Sequence, residues 1–271
     1  MRPNRAQPER GRHLGIAAAI LITFAAISGS CSMSQSNAAE FFEGQRLEAA
    51  RAIANGNMEL LRAAARNLDV DKPGKKEMTL LWFAIFEKNF EAIRFLVQLG
   101  SNPGANPAQG LGLPVHYALM NKDTRFLKAM LDGGMPVDLS TASKTTLLHK
   151  AAGEYGASLE HVKMLVERGA KLDLQDEAGR TPLFFALGTH QADRARYLIE
   201  RGARLDVPTA RGALPAYTAQ GVIDGQQPGS AMRRQFEELR DFMVVHGAKF
   251  PPDTPEQVRA WMKSRGMNVA E

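Results

Sequence analysis

The sequence contains few of the residues that stabilise or activate small enzymes. Its 271 residues include one cysteine, Cys31, and two tryptophans. A single cysteine excludes an internal disulfide framework and any zinc site made of paired cysteines. The motifs G-x-S-x-G, H-E-x-x-H and G-x-x-x-x-G-K are also missing. The sequence therefore predicts no catalytic residue, no metal and no cofactor, and we expect a protein that is not an enzyme.

The positive charge is not concentrated in the part expected to fold. The formal net charge is +5. Residues 1–30 carry Arg2, Arg5, Arg10 and Arg12 against Glu9, a net +3, which leaves about +2 for the remainder. Nucleic-acid binders concentrate positive charge on a folded face. This distribution argues against a nucleic-acid partner.

The first 30 residues have the three parts of a secretory signal. A basic stretch ends at Arg12, an apolar stretch spans Leu14–Ile27, and the small residues Ser28-Gly29-Ser30 follow. The apolar stretch is shorter than the roughly 20 residues that cross a bilayer, but it suits a signal peptide. A buried core helix is the alternative. We expect residues 1–30 to direct export.

Cys31 directly follows these small residues, an arrangement that resembles the lipobox of bacterial lipoproteins. The sequence departs from that pattern at Ser28, where the family prefers Leu, Val or Ile. The resemblance implies a lipidated Cys31 with a tether over residues 31–42. Ser32, in place of an aspartate, implies a periplasmic protein anchored to the outer membrane. The alternative is ordinary cleavage near Ala38-Ala39, which gives a soluble periplasmic protein.

Five segments of the remaining chain are similar to one another. They read T-L-L-W-F-A-I, L-P-V-H-Y-A-L, T-L-L-H-K-A-A, T-P-L-F-F-A-L and L-P-A-Y-T-A-Q, and begin at Thr79, Leu113, Thr146, Thr181 and Leu214. These starts are 34, 33, 35 and 33 residues apart. A second series of residues marks helix ends: Gly100, Gly134, Gly169 and Gly202 keep nearly the same period, and Gly247 follows 45 residues after Gly202. Such periodicity indicates a stacked repeat array.

The segments resemble the opening T-P-L-H-x-A of the ankyrin repeat. The resemblance implies an all-α solenoid of about five helix-turn-helix repeats with β-hairpin-like fingers, over residues 43–250. It also implies a structural role for His149, which would form hydrogen bonds where finger and helix meet. In this pattern Thr181 can cap its helix with its hydroxyl.

The two ends of the array differ from its middle. Apolar periodicity over Leu47–Ile53 and Met58–Ala65 predicts a degenerate first repeat. The last repeat contains an insertion, Gly221–Gly229, which we expect to be a mobile loop before a helix over Ser230–His246. The T-x-x-Q pattern starting at Thr254 predicts a C-terminal capping helix within residues 251–271.

In the ankyrin family, partners bind the concave face formed by inner helices and finger tips. The residue after the motif histidine faces this groove, and the matching positions here are Phe83, Tyr117, Lys150, Phe185 and Thr218. Toward the helix ends the groove continues through Phe86, Glu87, Met120, Asn121, Glu154, Thr189 and Gln220. The finger tips would present Lys76, Glu77, Gln109, Gly110, Lys144, Glu177, Arg180 and Arg211. Alternatively, the aromatic residues belong to the core and the charged tips are only solvated.

The combined architecture of signal, anchor and repeats is similar to that of periplasmic immunity proteins, which neutralise phospholipase effectors of type VI secretion. The resemblance implies a protein partner, a secreted lipase or phospholipase toxin, bound by a chain that is a monomer on its own. It implies membrane contact only through the N-terminal lipid. The alternative is an envelope scaffold for resident proteins. A lipid anchor argues against an effector that acts in a eukaryotic host.

Overall fold

The computed structural model describes residues 35–105, 111–140, 143–153 and 156–270. The predictions on Cys31, Gln109, Gly110 and Glu154 concern residues outside these ranges. Within them the chain forms fourteen α-helices and one short 3-10 helix, Lys75–Glu77. The helices are α1 (Gln35–Phe41), α2 (Gly44–Ala54), α3 (Met58–Ala65), α4 (Leu80–Phe86), α5 (Phe90–Gln98), α6 (Pro114–Met120), α7 (Arg125–Asp132), α8 (Leu147–Gly153), α9 (Leu159–Glu167), α10 (Pro182–Gly188), α11 (Ala192–Glu200), α12 (Pro215–Asp224), α13 (Ala231–Val245) and α14 (Pro255–Ser264).

Helices α2 to α13 form six consecutive pairs, each made of an inner and an outer helix. Inner helices such as α4 are apolar almost throughout, and Leu80 to Ile85 are all buried. Outer helices bury one side only, as α5 does with Ile93 and Leu96. In the described fingers, backbone pairing appears as one isolated antiparallel bridge between Ser140 and Thr146. The prediction of an all-α ankyrin solenoid is confirmed.

Side chains at the helix starts explain where several helices begin. The Thr79 hydroxyl accepts a hydrogen bond from the Trp82 amide at 3.2 Å, and Asn89 caps α5 in the same way. The prediction of a hydroxyl cap at Thr181 is wrong. Thr181 occupies the cap position, but the Phe184 amide donates to its backbone carbonyl at 3.0 Å instead. The Thr181 hydroxyl is buried and has no hydrogen-bond partner among the described residues.

The N-terminal end contains a helix where the sequence predicted a tether reaching residue 42. Residues 35–41 form α1, so the tether prediction is wrong for that part. Ala38, Phe41 and Phe42 are buried against the first repeats. Lys76 adds an ion pair to Glu40 at 3.3 Å. The burial of these three apolar side chains stabilises the helix, although the residues before it are small and polar.

The C-terminal end agrees with the sequence in its helices and differs in its insertion. Helices α13 and α14 lie where they were predicted. The Thr254 and Gln257 side chains form the expected reciprocal capping box. Helix α12, however, continues to Asp224, so the mobile-loop prediction is wrong for residues 221–224. The turn that follows is held by Arg233, which donates to the carbonyls of Ile223 and Gln226 at 3.3 Å each.

Side chains at the starts of outer helices connect successive repeats. The side-chain Nδ2 of Asn89 donates to the Ile53 carbonyl at 2.9 Å, and the Arg194 guanidinium donates to the Ala151 carbonyl at 3.0 Å. In each case the acceptor lies in the inner helix of the preceding pair. Satisfying these buried carbonyls links neighbouring repeats by hydrogen bonds as well as by apolar packing.

Candidate protein-binding face

The candidate site is the side of the array formed by the exposed parts of the inner helices together with the finger tips, which we call the inner-helix face. Two of its apolar side chains remain well exposed. Met120, at the end of α6, is 61% exposed, and Tyr217, in α12, is 40% exposed. Neither side chain belongs to the hydrophobic core. The face therefore offers apolar contact area for another molecule.

Phe83 is not part of this face, so its prediction as a partner-binding residue is wrong. Its side chain is fully buried. The Phe42 ring packs edge-on against it with centroids 5.6 Å apart, and Phe41 lies at 6.4 Å. Helix α1, which the sequence did not predict, covers the position where a partner was expected.

Tyr117 and Phe185 serve the core and also reach its edge. The Tyr117 ring packs edge-on between Trp82 at 5.6 Å and Phe126 at 5.4 Å. Phe185 packs edge-on against His149 at 5.0 Å. Both are partly buried against the core cluster. Of the two alternatives raised by the sequence, core packing accounts for most of each ring.

The N-terminal half of the face contains an unusual carboxylate. Burial raises the pKa of Glu87 to about 7. One carboxylate oxygen is buried and has no hydrogen-bond partner among the described residues. Its neighbour Phe86 is partly buried and stacks on Trp82, with centroids 5.6 Å apart. A donor supplied by another molecule would relieve the desolvation of this oxygen.

The other predicted groove residues have local partners or remain partly accessible. The Asn121 side chain accepts from the Asp123 amide at 2.9 Å. The Thr189 hydroxyl donates to the Phe185 carbonyl at 2.7 Å, and Gln220 donates to Asp224 at 2.8 Å. Lys150 and Thr218 are half-buried. These polar groups surround the exposed apolar side chains.

The C-terminal half of the face has two exposed glycines, Gly188 and Gly221. A Cβ added at either position would meet nothing within 4 Å, and neither glycine has a positive φ. Gly221 lies inside α12, where glycine costs about 1 kcal/mol relative to alanine. Among the described residues, neither packing nor backbone geometry requires a glycine at position 188 or 221. A molecule approaching the backbone closely would.

The finger tips are joined to one another through their backbones. The Glu177 amide donates to the Ser143 carbonyl at 3.2 Å, and the Ala210 amide to the Ala178 carbonyl at 3.0 Å. The Arg180 side chain pairs with Asp176 at 2.7 Å. Predicted tip residues that remain exposed are Lys76, Glu77, Lys144, Glu177, Arg180 and Arg211. The tips therefore present charged side chains from a fixed backbone.

The structure supports a structural role for His149. Its Nδ1 accepts from the Thr146 amide at 3.1 Å, which leaves the proton on Nε2 to bind the Arg180 carbonyl at 2.9 Å. His161, at the start of α9, has the same arrangement, with Nδ1 accepting from the Ser158 amide at 3.1 Å. Burial lowers the pKa of both imidazoles. Among the described residues, no group of His, Cys, Asp and Glu is arranged to hold a metal.

Sequence reasoning missed Tyr217 and the exposed glycines. Tyr217 occupies the position of the motif histidine, which the family uses inside the structure. The equivalent side chains of Trp82, His149 and Phe184 are buried, whereas Tyr217, in the last inner helix, is exposed. The glycines could have been noticed, because Gly188, at the end of α10, and Gly221, inside α12, lie one repeat apart in the sequence.

The comparisons agree with this architecture. A family model described as ankyrin repeats (3 copies) matches residues 113–210. Protein PhlB of Serratia liquefaciens is 30% identical over 182 residues, which are 65% of this chain and 79% of PhlB. The chain belongs to the ankyrin-repeat family.

More distant proteins share parts of the array. The putative ankyrin repeat protein FPV022 of Fowlpox virus is 25% identical over 163 residues, which are 51% of this chain and 28% of that protein. The ankyrin repeat domain of Bcl-3, a member of the IkappaB protein family, superposes with a TM-score of 0.55 at 24% identity, over 77% of this chain and 91% of that domain. An ankyrin repeat domain from Acinetobacter baumannii superposes with a TM-score of 0.55 at 21% identity, over 74% of this chain and 98% of that domain. These two structures share the fold. Ankyrin repeats are protein-interaction modules, and no catalytic family matches among these findings.

Proposed function

We propose that this chain is an exported immunity protein, which binds a toxic secreted effector of the phospholipase type through the inner-helix face and blocks it. The observation that carries the proposal is the exposure of Met120 and Tyr217 on a face that also contains open glycine positions. Methionine and tyrosine are enriched at the centres of protein interfaces. A face with these properties is suited to a protein rather than to a small molecule.

Glu87 gives this face an electrostatic preference. Its buried carboxylate oxygen lacks a donor among the described residues. An arginine or lysine of the effector would supply one, and the ion pair would restore the interactions that burial removed. The partner surface is therefore expected to place a cation near the end of α4.

The proposed location follows from the leader. Residues 1–30 would direct export, and a lipidated Cys31 would hold the protein at the outer membrane, beside the substrate of a phospholipase. None of the helices in the described part has the length and apolar character to cross a bilayer. The similarity to PhlB, a protein of the bacterium Serratia liquefaciens, over 79% of its length supports a bacterial setting for this proposal.

Capture by matched variants tests the proposal. The bait is the chain from residue 32 onward, exposed to the secreted and periplasmic proteins of the source strain. The test variant carries Met120→Glu and Tyr217→Glu. The control carries Leu99→Glu and Val245→Glu, which lie on the outer-helix side and are 42% and 82% exposed. Both variants change exposed apolar residues to glutamate, so their effects on folding should be similar.

The expected result is retention of a phospholipase by the wild type and the control, and its loss from the test variant. If the phospholipase binds all three baits equally, it contacts another surface and the assignment of the inner-helix face is wrong. If only resident envelope proteins are retained, the immunity function is wrong and the chain is an envelope scaffold.

A further inference from the structure

The last helix and the finger beside it form a second exposed surface, away from the inner-helix face. Trp261, in α14, is 46% exposed, and Met267 behind it is 43% exposed. Both line a cleft that is shared with the finger residues Thr209 and Ala210 and with charged side chains of both signs, Lys144, Arg204, Asp176, Glu177 and Asp206. Two of these carboxylates are already paired with arginines, Asp176 with Arg180 and Asp206 with Arg204. We call the surface made by Trp261, Met267, Arg211, Lys263 and Arg265 the C-terminal basic face.

This surface is fixed to the repeat array. Helix α14 buries Val258 and Met262. The Arg259 guanidinium donates to the Arg211 carbonyl at 2.9 Å, and the Ala270 amide donates to the Ala210 carbonyl at 2.8 Å. The last residues thus pair with the final finger tip, as the Ala210 amide pairs with the preceding finger. The exposed side chains are held in a constant arrangement.

The charges of this surface are only partly compensated. A second cleft of about 370 Å³, which shares no lining residue with the cleft of Trp261 and Met267, is lined by Arg211, Arg259 and Lys263, and no acidic side chain of the described residues lines it. Arg259 pairs with Glu256 at 3.0 Å. Within the described residues, neither Arg211 nor Lys263 forms an ion pair. The Arg265 guanidinium lies over the Trp261 ring, 5.5 Å from its centroid.

We propose that the C-terminal basic face binds the surface of an anionic lipid bilayer. Tryptophan is favoured at the boundary between headgroups and acyl chains, where its ring is apolar and its N–H is polar. Basic side chains next to it bind lipid phosphates, and their aliphatic parts cover apolar surface. Trp261 and Met267 would enter the boundary, while the cleft cations contact headgroup phosphates.

The position of the face in the chain supports this occupant. Helix α1 packs on the first repeat and α14 on the last, so the face lies at the end of the array opposite the N-terminus. Contact at both ends would lay the array along a membrane and leave the inner-helix face accessible from the side. This inference goes beyond the proposed function, because bilayer binding by residues 32–271 needs neither the effector nor the lipid on Cys31.

The chain from residue 32 onward also provides its own spectroscopic probe. Of its two tryptophans, Trp82 is 2% exposed, so only Trp261 can change its environment on docking. We expect vesicles containing phosphatidylglycerol to shift the tryptophan emission to shorter wavelength, and vesicles of phosphatidylcholine alone to leave it unchanged. The Trp82→Phe variant should keep the shift, and Trp261→Phe should lose it.

Cosedimentation with the same vesicles measures the contribution of charge. The variant Arg211→Gln, Lys263→Gln, Arg265→Gln should bind about a hundredfold more weakly, since each cation near an anionic surface contributes about fivefold. A control with Arg66→Gln, Lys72→Gln and Lys122→Gln, all at exposed positions, has the same net charge and should bind as the wild type does.

Three outcomes would overturn the proposal. The first is no binding to phosphatidylglycerol vesicles, and the second is an equal loss of binding in both triple variants. The third is binding to polyglutamate, but not to vesicles, that requires Arg211, Lys263 and Arg265. In that case the face recognises acidic protein segments instead of a bilayer.

Discussion

His161 donates a hydrogen bond from Nε2 to the carbonyl oxygen of Ala118, 43 residues earlier in the chain, at 3.2 Å. Arg194 makes the equivalent contact to Ala151, again 43 residues earlier. Each donor is the third residue of an outer helix, and each acceptor lies in the inner helix of the preceding pair. The third position of the outer helix therefore links two repeats to the repeats before them, through an imidazole in His161 and a guanidinium in Arg194.

Replacing His161 by alanine tests this link. The change removes a buried hydrogen bond and leaves a small cavity beside the Ala118 carbonyl, so we expect a loss of about 2–3 kcal/mol in the free energy of unfolding. Urea denaturation measures it. The exposed Gln98→Ala serves as the control and should change the stability by less than about 0.5 kcal/mol. Equal stability of the two variants would contradict the link.

The two buried histidines predict a loss of stability in acid. Burial lowers the pKa of His149 and His161 in the folded protein, so the unfolded chain binds more protons than the folded one below about pH 6.5. The stability they contribute is present above that pH and is lost as the pH falls below it. Urea midpoints at pH 7.5 and pH 5.5 should differ more for the wild type than for His149→Asn, His161→Asn. A pH dependence unchanged in this variant would refute the assignment.

Glu87 predicts a pH dependence of stability opposite to that of the two histidines. Burial raises its folded pKa to about 7, from 4.5, so the folded chain binds more protons than the unfolded one between these values. Its contribution to stability is lost as the pH rises through 7. One unit of pKa corresponds to about 1.4 kcal/mol. Because the side chain is only partly buried, we expect Glu87→Gln to stabilise the chain by about 1–2 kcal/mol at pH 8.

The comparison at pH 4.5 completes this test. There the wild-type carboxyl is mostly protonated in the folded state, so Glu87→Gln should have little effect on the urea midpoint. An equal stabilisation at both values of pH would show that the benefit comes from packing rather than from the removed charge.

The stability of a Gly221 variant tests whether the space beside this glycine is open in the folded chain. Gly221→Ala should raise the free energy of unfolding by about 0.5–1 kcal/mol, because alanine favours the helix and its Cβ meets nothing within 4 Å. Thermal denaturation measures the change. A destabilisation would mean that the space beside Gly221 is not open in the folded chain.

Much of the fold could be predicted from the sequence, because each repeat is marked by a local pattern of residues. The threonine or leucine before each inner helix, the prolines at Pro114 and Pro182, and the glycines after the outer helices all act within a few residues. Their spacing gave the solenoid. The boundaries of α13 and α14 followed from the same local rules.

The errors arose where distant contacts decide the structure. The residues of α1 have weak local signals, and the helix is stabilised by Phe42 packing on Phe83, which is 41 positions away in the sequence. No local pattern reveals that contact, and without it Phe83 looked like a partner-binding residue. The arrangement of His161 was missed for the same reason, since its acceptor is in another repeat. Met120 is exposed, and its role in partner binding stays a prediction.

The most direct test of the account is inhibition. Phospholipid hydrolysis by the secreted proteins of the source strain is measured while the chain from residue 32 onward is titrated in, alongside the Met120→Glu, Tyr217→Glu variant. We predict that the wild type suppresses hydrolysis to a plateau and that the variant does not. Hydrolysis that continues unchanged at saturating wild-type protein would contradict the proposed immunity function. Equal suppression by both would place the inhibitory contact outside the inner-helix face.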